Sequence, residues 1–217
     1  MKIKICGVTL PDDAAMIANA GADYLGLNLW PRSKRYLELE RAPMIASIAR
    51  SVNPQIQIVG LFVDAHADEI AEAHAAVGFD RVQLHGDESH DDVLAIGAAV
   101  RVPIWKAIPV ATIRDLQDLA GWPTAIEAFL LDAPSAGRGG SGKTIDWELA
   151  AGAASGSHGR QIVLAGGLTA DNVAAAIARV QPWAIDVASG VERAPGVKDE
   201  AKVRAFIANA RGAKAKT

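Results

Sequence analysis

The stretch KIKICGVT, Lys2 to Thr9, puts two lysines and a cysteine on one side of a period-two pattern and two isoleucines on the other. Such alternation belongs to a β-strand, whose successive side chains point to opposite faces. The run ends at Gly7, and Pro11 with Asp12 and Asp13 then opens a helix. Proline suits the first helical position, and carboxylates favour the positive end of the helix dipole. A strand followed at once by a helix start is a βα unit.

The unit recurs along the chain. Strand-like runs YLGLN, IQIVGLFV, RVQLH, IWKAI, AFLLDA, QIVLAG and AIDVAS follow, divided by alanine-rich, helix-patterned segments. Gly21 and Gly78 supply stop signals, and Thr169 ahead of Asp171 supplies a start. With the first run this makes eight βα units, the signature of a parallel sheet. Eight units in roughly 200 residues meet the lower size limit of the (β/α)8 barrel. The expected fold class is α/β, a single-domain TIM barrel over residues 1–217, with a frayed tail from about 211 where RGAKAKT lacks a core pattern. A doubly wound open sheet is the alternative, because periodicity does not reveal closure.

Composition narrows the function classes. Half the residues are hydrophobic, yet no apolar run approaches the ~20 residues that span a bilayer. MKIKIC has no apolar stretch leading to a small-residue cleavage site, so the expectation is a soluble, cytoplasmic chain with no membrane partner. One cysteine cannot form an internal disulfide, and the five histidines show no metal-ligand spacing with it. With 22 basic and 25 acidic residues the net charge is -3, which gives no general attraction to nucleic acid. A small-molecule partner is expected.

In a closed barrel Ile3 and Ile5 belong against the helices, which turns Lys4 inward beneath Cys6. The same alternation sets Gln83 under His85 and carries Asp186 inside. An unpaired buried ammonium is costly, and Asp186, on the strand that adjoins the first on closure, is its expected partner.

Chemistry in such barrels gathers at the carboxyl ends of the strands. Here those ends read Cys6, Asn28, Asp64, His85, Lys106 or a residue near it, Asp132, the pair Gly166 and Gly167, and Ser189 with Gly190. One polar strand end has a bland explanation, since every strand must leave the core; the whole set suggests a site. LAGGLTADNV and ASGVE both turn through glycine after a strand, so their backbone N–H groups could converge on an anion. Gly137 to Thr144, GRGGSGKT, matches the nucleotide phosphate loop literally. That loop should join strand to helix directly, whereas LLDAPSA intervenes and TIDWELA starts its helix near Asp146. The stretch therefore reads as a glycine-rich lid from which Lys143 could touch a substrate anion. A nucleotide-binding module is the competing reading from another class.

The blocks KICGVT, WPRSKRY, VQLHGDE, LLDA with GGSGKTIDW, LAGGLTADNV, DVASGVE and PGVKD run from Lys4 to Asp199, and together they resemble the phosphoribosylanthranilate isomerase family. The resemblance implies a (β/α)8 barrel of tryptophan biosynthesis. It would convert N-(5-phosphoribosyl)anthranilate into 1-(2-carboxyphenylamino)-1-deoxyribulose 5-phosphate without cofactor or metal; whether the chain is a monomer or a homodimer is left open by the sequence. It puts the family's catalytic base on Cys6 and acid on Asp132, its carboxylate-binding arginine on Arg35, and its phosphate contacts on Gly166, Gly167, Ser189 and Gly190. His85, in the strand-four motif, either shapes the mouth or is structural. Arg32 and Lys34 either steer the dianionic substrate or only keep the loop soluble. GLNLW departs from the family's more apolar second strand, placing Asn28 and Trp30 near the anthranilate wall. Other sugar-phosphate barrels would bring a metal-ligand set or a pair of catalytic aspartates, and KICG fits neither.

That chemistry asks both groups to leave their usual forms. A free thiol of pKa ~8.5 is mostly protonated at neutral pH and a free carboxyl of ~3.9 is ionised, while the reaction needs a thiolate and an acid. The expectation is that Lys4 or the phosphate turns favour the thiolate and that the apolar AFLLDA favours the acid.

Overall fold

The computed structural model describes residues 1–134, 144–156 and 160–213. Strands β1 (Lys2–Cys6), β2 (Tyr24–Asn28), β3 (Gln57–Phe62), β4 (Arg81–Leu84), β5 (Ile104–Pro109), β6 (Ile126–Asp132), β7 (Gln161–Leu164) and β8 (Ala184–Val187) pair in parallel, in sequence order. β1 pairs with β8 as well as with β2, so the sheet closes and the open-sheet alternative falls. All eight expected strands form, with ends displaced by up to two residues.

The helices are α1 (Pro11–Asn19), α2 (Ala42–Val52), α3 (Ala67–Val77), α4 (His90–Val100), α5 (Trp147–Gly156), α6 (Val173–Val180) and α7 (Glu200–Gly212). α1 begins at Pro11 as expected, and α3 stops at Gly78, which takes the left-handed conformation. α6 begins later than the Thr169 signal suggested. The Asn172 side chain accepts from the Thr169 amide and donates to the Gly167 carbonyl, which holds the intervening residues in a turn.

Unit five departs from the pattern. Between β5 and β6 the described residues form two 3-10 turns, Ile113–Leu116 and Leu119–Gly121, instead of an α-helix. A Thr112/Asp115 capping box starts a helix, but Gly121 and Pro123 follow within about three turns and end it before it can propagate. The chain end differs too. Arg211 and Gly212 are helical, and Arg211 donates to the Gly21 carbonyl and Asp23, so order extends into the stretch expected to fray. Residues 214–217 lie outside the described residues.

Ile3 and Ile5 pack under the helices in the main core. Each fully buried side chain of this size contributes about 1.5–3 kcal/mol. The barrel interior is filled by Tyr24, Val59, Trp105, Ala128, Leu130 and Val163, and nearer the carboxyl ends by Cys6, Leu61 and Val63 with Trp30 against them. After β8 a short turn leads into the hairpin β9 (Glu192–Ala194) and β10 (Val197–Lys198), which precedes α7. Among the described residues no helix is long and apolar enough to cross a membrane.

Candidate active site

Barrel closure sets Lys4 opposite Asp186 in the β1/β8 register, and the Lys4 ammonium donates to Asp186 Oδ1 at 2.9 Å. The expected partner is therefore in place. The Cys6 thiol above it also favours the charged ammonium. Burial pushes the Cys6 thiol above its ordinary pKa; Lys4 pulls it down and Asp186 pushes it back up. The net direction is opposite to the expectation of a field favouring thiolate. The reason is that desolvation is the largest influence on the thiol and Asp186 offsets part of the pull from Lys4.

The glycine directly after the cysteine has a steric cause. A Cβ on Gly7 would lie 2.5 Å from Arg35 Cδ, and Gly7 also has φ +73. The Arg35 stem thus crosses the backbone next to the thiol. Its guanidinium forms a two-point pair with Glu192, Nε to Oε1 at 2.8 Å and Nη2 to Oε2 at 2.7 Å, and makes no hydrogen bond through Nη1 within the described residues. Burial would weaken the guanidinium's hold on its proton, but the bonds to Glu192 more than offset it.

Asn28, one of the polar strand ends, spends its side chain on the loop that follows. Its Oδ1 accepts from the Trp30 amide, its Nδ2 donates to Ser33 Oγ, and the same hydroxyl accepts from the Arg35 amide. It fastens the loop that carries Arg35. Trp30 does reach the site, packing with Ala188 on the cluster of Cys6, Leu61 and Val63.

Gly166, Gly167, Ser189 and Gly190 come together as expected. A pocket is lined by Asp132, Asp186, residues Ala165 to Leu168 and residues Val187 to Gly190. The amides of Gly166, Gly167, Ser189 and Gly190 make no hydrogen bond within the described residues. Gly166 has φ +80, and a Cβ there would meet the Ala133 amide nitrogen at 2.8 Å. Unpaired amides in glycine turns are a ready anion cradle.

Asp132 ends β6 on the inward side of the barrel, opening on the same pocket. Its Oδ1 accepts from the Ala133 amide at 2.8 Å, and its Oδ2 lies 3.5 Å from His85 Nε2. His85 Nδ1 bonds the Gln83 amide at 3.0 Å, confirming Gln83 beneath it. Lys106, by contrast, faces away from the interior. Its register neighbours Leu84 and Phe129 belong to the outer core, and its ammonium donates to Glu88 at 2.8 Å and the Gly86 carbonyl at 2.7 Å. Asp64 accepts from the Asp87 amide and shapes the same turn.

α5 opens after the literal phosphate-loop match, with Asp146 accepting from the Glu148 amide. Gly137 to Lys143 of the match lie outside the described residues, whereas Thr144 is described and exposed. Glu192 and Lys198, which are not among the polar strand ends, also adjoin these residues, through Arg35 and the Cys6 carbonyl. Both stand in quoted blocks, but a charge in a short hairpin reads as solvated, and only the folded chain buries them.

A family model described as N-(5'phosphoribosyl)anthranilate (PRA) isomerase matches residues 3–209. An N-(5'-phosphoribosyl)anthranilate isomerase of Geobacter sp. is 49% identical over 212 residues, covering 97% of this chain and 98% of that one. The phosphoribosyl anthranilate isomerase structure from Thermotoga maritima has a TM-score of 0.86 at 38% identity, covering 98% of this chain and 99% of that one. Another, in complex with reduced 1-(o-carboxyphenylamino)-1-deoxyribulose 5-phosphate, has a TM-score of 0.83 at 34% identity, covering 98% and 99%.

Proposed function

Since the chain belongs to the N-(5'-phosphoribosyl)anthranilate isomerase family, we propose that Cys6 and Asp132 carry its reaction as base and acid. The reaction is the Amadori rearrangement of N-(5-phosphoribosyl)anthranilate to 1-(2-carboxyphenylamino)-1-deoxyribulose 5-phosphate, in tryptophan biosynthesis. The observation that carries the assignment is that the two groups end β1 and β6 on the interior side, with the glycine turns of β7 and β8 lying between them.

The amides of Gly166, Gly167, Ser189 and Gly190 hold the phosphate, and Arg35 meets the anthranilate carboxylate through its Nη1 edge. Asp132 donates a proton to the furanose ring oxygen; the C1–O bond breaks and a Schiff base forms. Cys6 removes the C2 proton, giving an enolamine that tautomerises to the ketone. Lys4 steadies the thiolate during that step, and His85 keeps the Asp132 carboxyl turned toward the sugar. The substrate is a small phosphorylated molecule, and the working compartment is the cytoplasm.

The test is conversion of the substrate by wild type, Cys6→Ser and Asp132→Asn. The expected outcome is a kcat loss of about 10²- to 10⁴-fold in each variant with KM changed only a few-fold. A variant that keeps wild-type kcat would remove its residue from the mechanism, and a wild type that converts nothing would end the reading.

A further inference from the structure

Lys198 is 1% exposed and Glu192 8%, and their side chains meet at 2.7 Å. Apart from a 3.3 Å bond from the Gly196 amide to Glu192, the remaining side-chain bonds of this pair run into the site. The Lys198 ammonium donates to the Cys6 carbonyl at 2.6 Å and the Ala188 carbonyl at 3.4 Å, while Glu192 takes both bonds from Arg35. The hairpin itself is anchored beneath α1, where the Lys198 amide donates to buried Asp13 at 2.8 Å.

A buried ion pair is a weak device for stability, because apolar residues of the same volume commonly do as well. This one joins three elements whose spacing matters to a ligand with two anionic ends. The Cys6 carbonyl fixes the peptide plane that aims the thiol and carries Gly7 under Arg35. Ala188 begins the turn that offers the Ser189 and Gly190 amides. Building on the isomerase reading, we propose that Glu192 and Lys198 are positioning residues, a buried carboxylate–ammonium pair that holds the Arg35 fork, the Cys6 carbonyl and the phosphate turn at fixed separations. Neither touches substrate. Displacement of a reacting group by about 1 Å can cost 10²-fold in rate, so loss of either partner has a kinetic signature.

The experiment uses the full chain and three variants. Glu192→Gln keeps the shape but loosens the Arg35 clamp; KM for N-(5-phosphoribosyl)anthranilate rises about tenfold while kcat stays within about threefold. Lys198→Arg keeps the charge but cannot place a single donor between the same oxygens; kcat falls about tenfold. Cys6 is the sole cysteine, so its alkylation by iodoacetamide against pH reports the thiol directly, independent of turnover. The charged groups facing it are Lys4, Asp186, Lys198 and Arg35, and Lys198→Met should move the alkylation midpoint upward while Lys198→Arg leaves it in place.

If Tm alone falls, with KM, kcat and the alkylation midpoint unmoved, the pair is ordinary structure and the proposal is overturned. Should Lys198→Met not fold, Glu192→Gln and Lys198→Arg decide the matter by the KM and kcat split. If wild type turns over no substrate the isomerase reading fails, and the alkylation midpoints still determine whether Lys198 governs the thiol.

Discussion

The Lys4 ammonium bonds Asp186 at 2.9 Å across the β1/β8 seam, directly beneath the one thiol of the chain. Lys4 is wholly buried and Asp186 nearly so. Removing one partner strands the other in the interior, which costs about 3–5 kcal/mol. Lys4→Met is therefore expected to unfold at much lower denaturant than wild type, whereas Lys4→Met with Asp186→Leu recovers most of the loss. Equal instability of the single and double variants in urea would contradict this.

The same cluster sets an alkaline limit on stability. Burial alone would lower the Lys4 pKa, but Asp186 and Cys6 carry it above its ordinary value. The Cys6 pKa is also raised, chiefly by burial. Groups raised on folding contribute stability that is complete below their unfolded values and disappears as pH climbs through the folded ones. The decline should begin near ~8.5, where an unfolded thiol ionises, and steepen near ~10.4 as unfolded lysine does. Tm measured from pH 7 to 11 should fall in that order, and Cys6→Ala should remove the first part. A flat profile would refute the linkage.

How much of this was legible depended on whether one strand or several fixed a residue's surroundings. Period-two alternation within β1 sufficed to turn Lys4 and Cys6 inward, and barrel order then brought Asp186 beside them. Lys106 misled because β5 was read by its last polar residue, while the register with Leu84 and Phe129 turns that side chain outward. The Gly7–Arg35 crossing, the His85–Asp132 approach and the Glu192–Lys198 pair join residues that are distant in sequence or sit in a short hairpin. No local period encodes them. The missing fifth helix was foreshadowed by Gly121 and Pro123, whose breaking effect outweighed the cap at Thr112.

Gly190 tests the phosphate cradle sterically. A Cβ there would stand 1.9 Å from the Leu168 carbonyl oxygen, which is backbone and cannot give way cheaply. Gly190→Ala must separate the β7 and β8 turns. The expected result is a KM raised at least about tenfold, a parallel loss of competitive inhibition by inorganic phosphate, and an overpacking cost of about 1–3 kcal/mol. Gly152 in α5 meets nothing within 4 Å, and Gly152→Ala should leave KM alone and stabilise by about 0.5–1 kcal/mol. Unchanged phosphate inhibition in Gly190→Ala would move the anion site elsewhere.

At the amino end of the barrel, Arg81 and Glu127 form a plug whose loss should spare the chemistry. Arg81 Nε and Nη2 bond the two Glu127 oxygens at 2.6 and 3.0 Å, Trp105 Nε1 donates to the same carboxylate at 2.8 Å, and Gln57 takes another guanidinium hydrogen. The guanidinium carbon lies 5.1 Å from the Tyr24 ring centroid. Burial would raise the Glu127 pKa, but bonds from Arg81 and Trp105 hold it below the ordinary carboxylate range. A carboxylate depressed on folding contributes stability present above ~4.3 that is lost as pH falls through its lower folded value. Glu127→Gln should therefore lower Tm at pH 7 by a few degrees and show a shallower fall below pH ~4 than wild type. Because catalytic groups occupy the carboxyl ends of barrel strands, kcat and KM should stay within about twofold. A loss of kcat in Glu127→Gln matching that of Asp132→Asn would mean that the two ends of this barrel are coupled, and that the plug is part of the site.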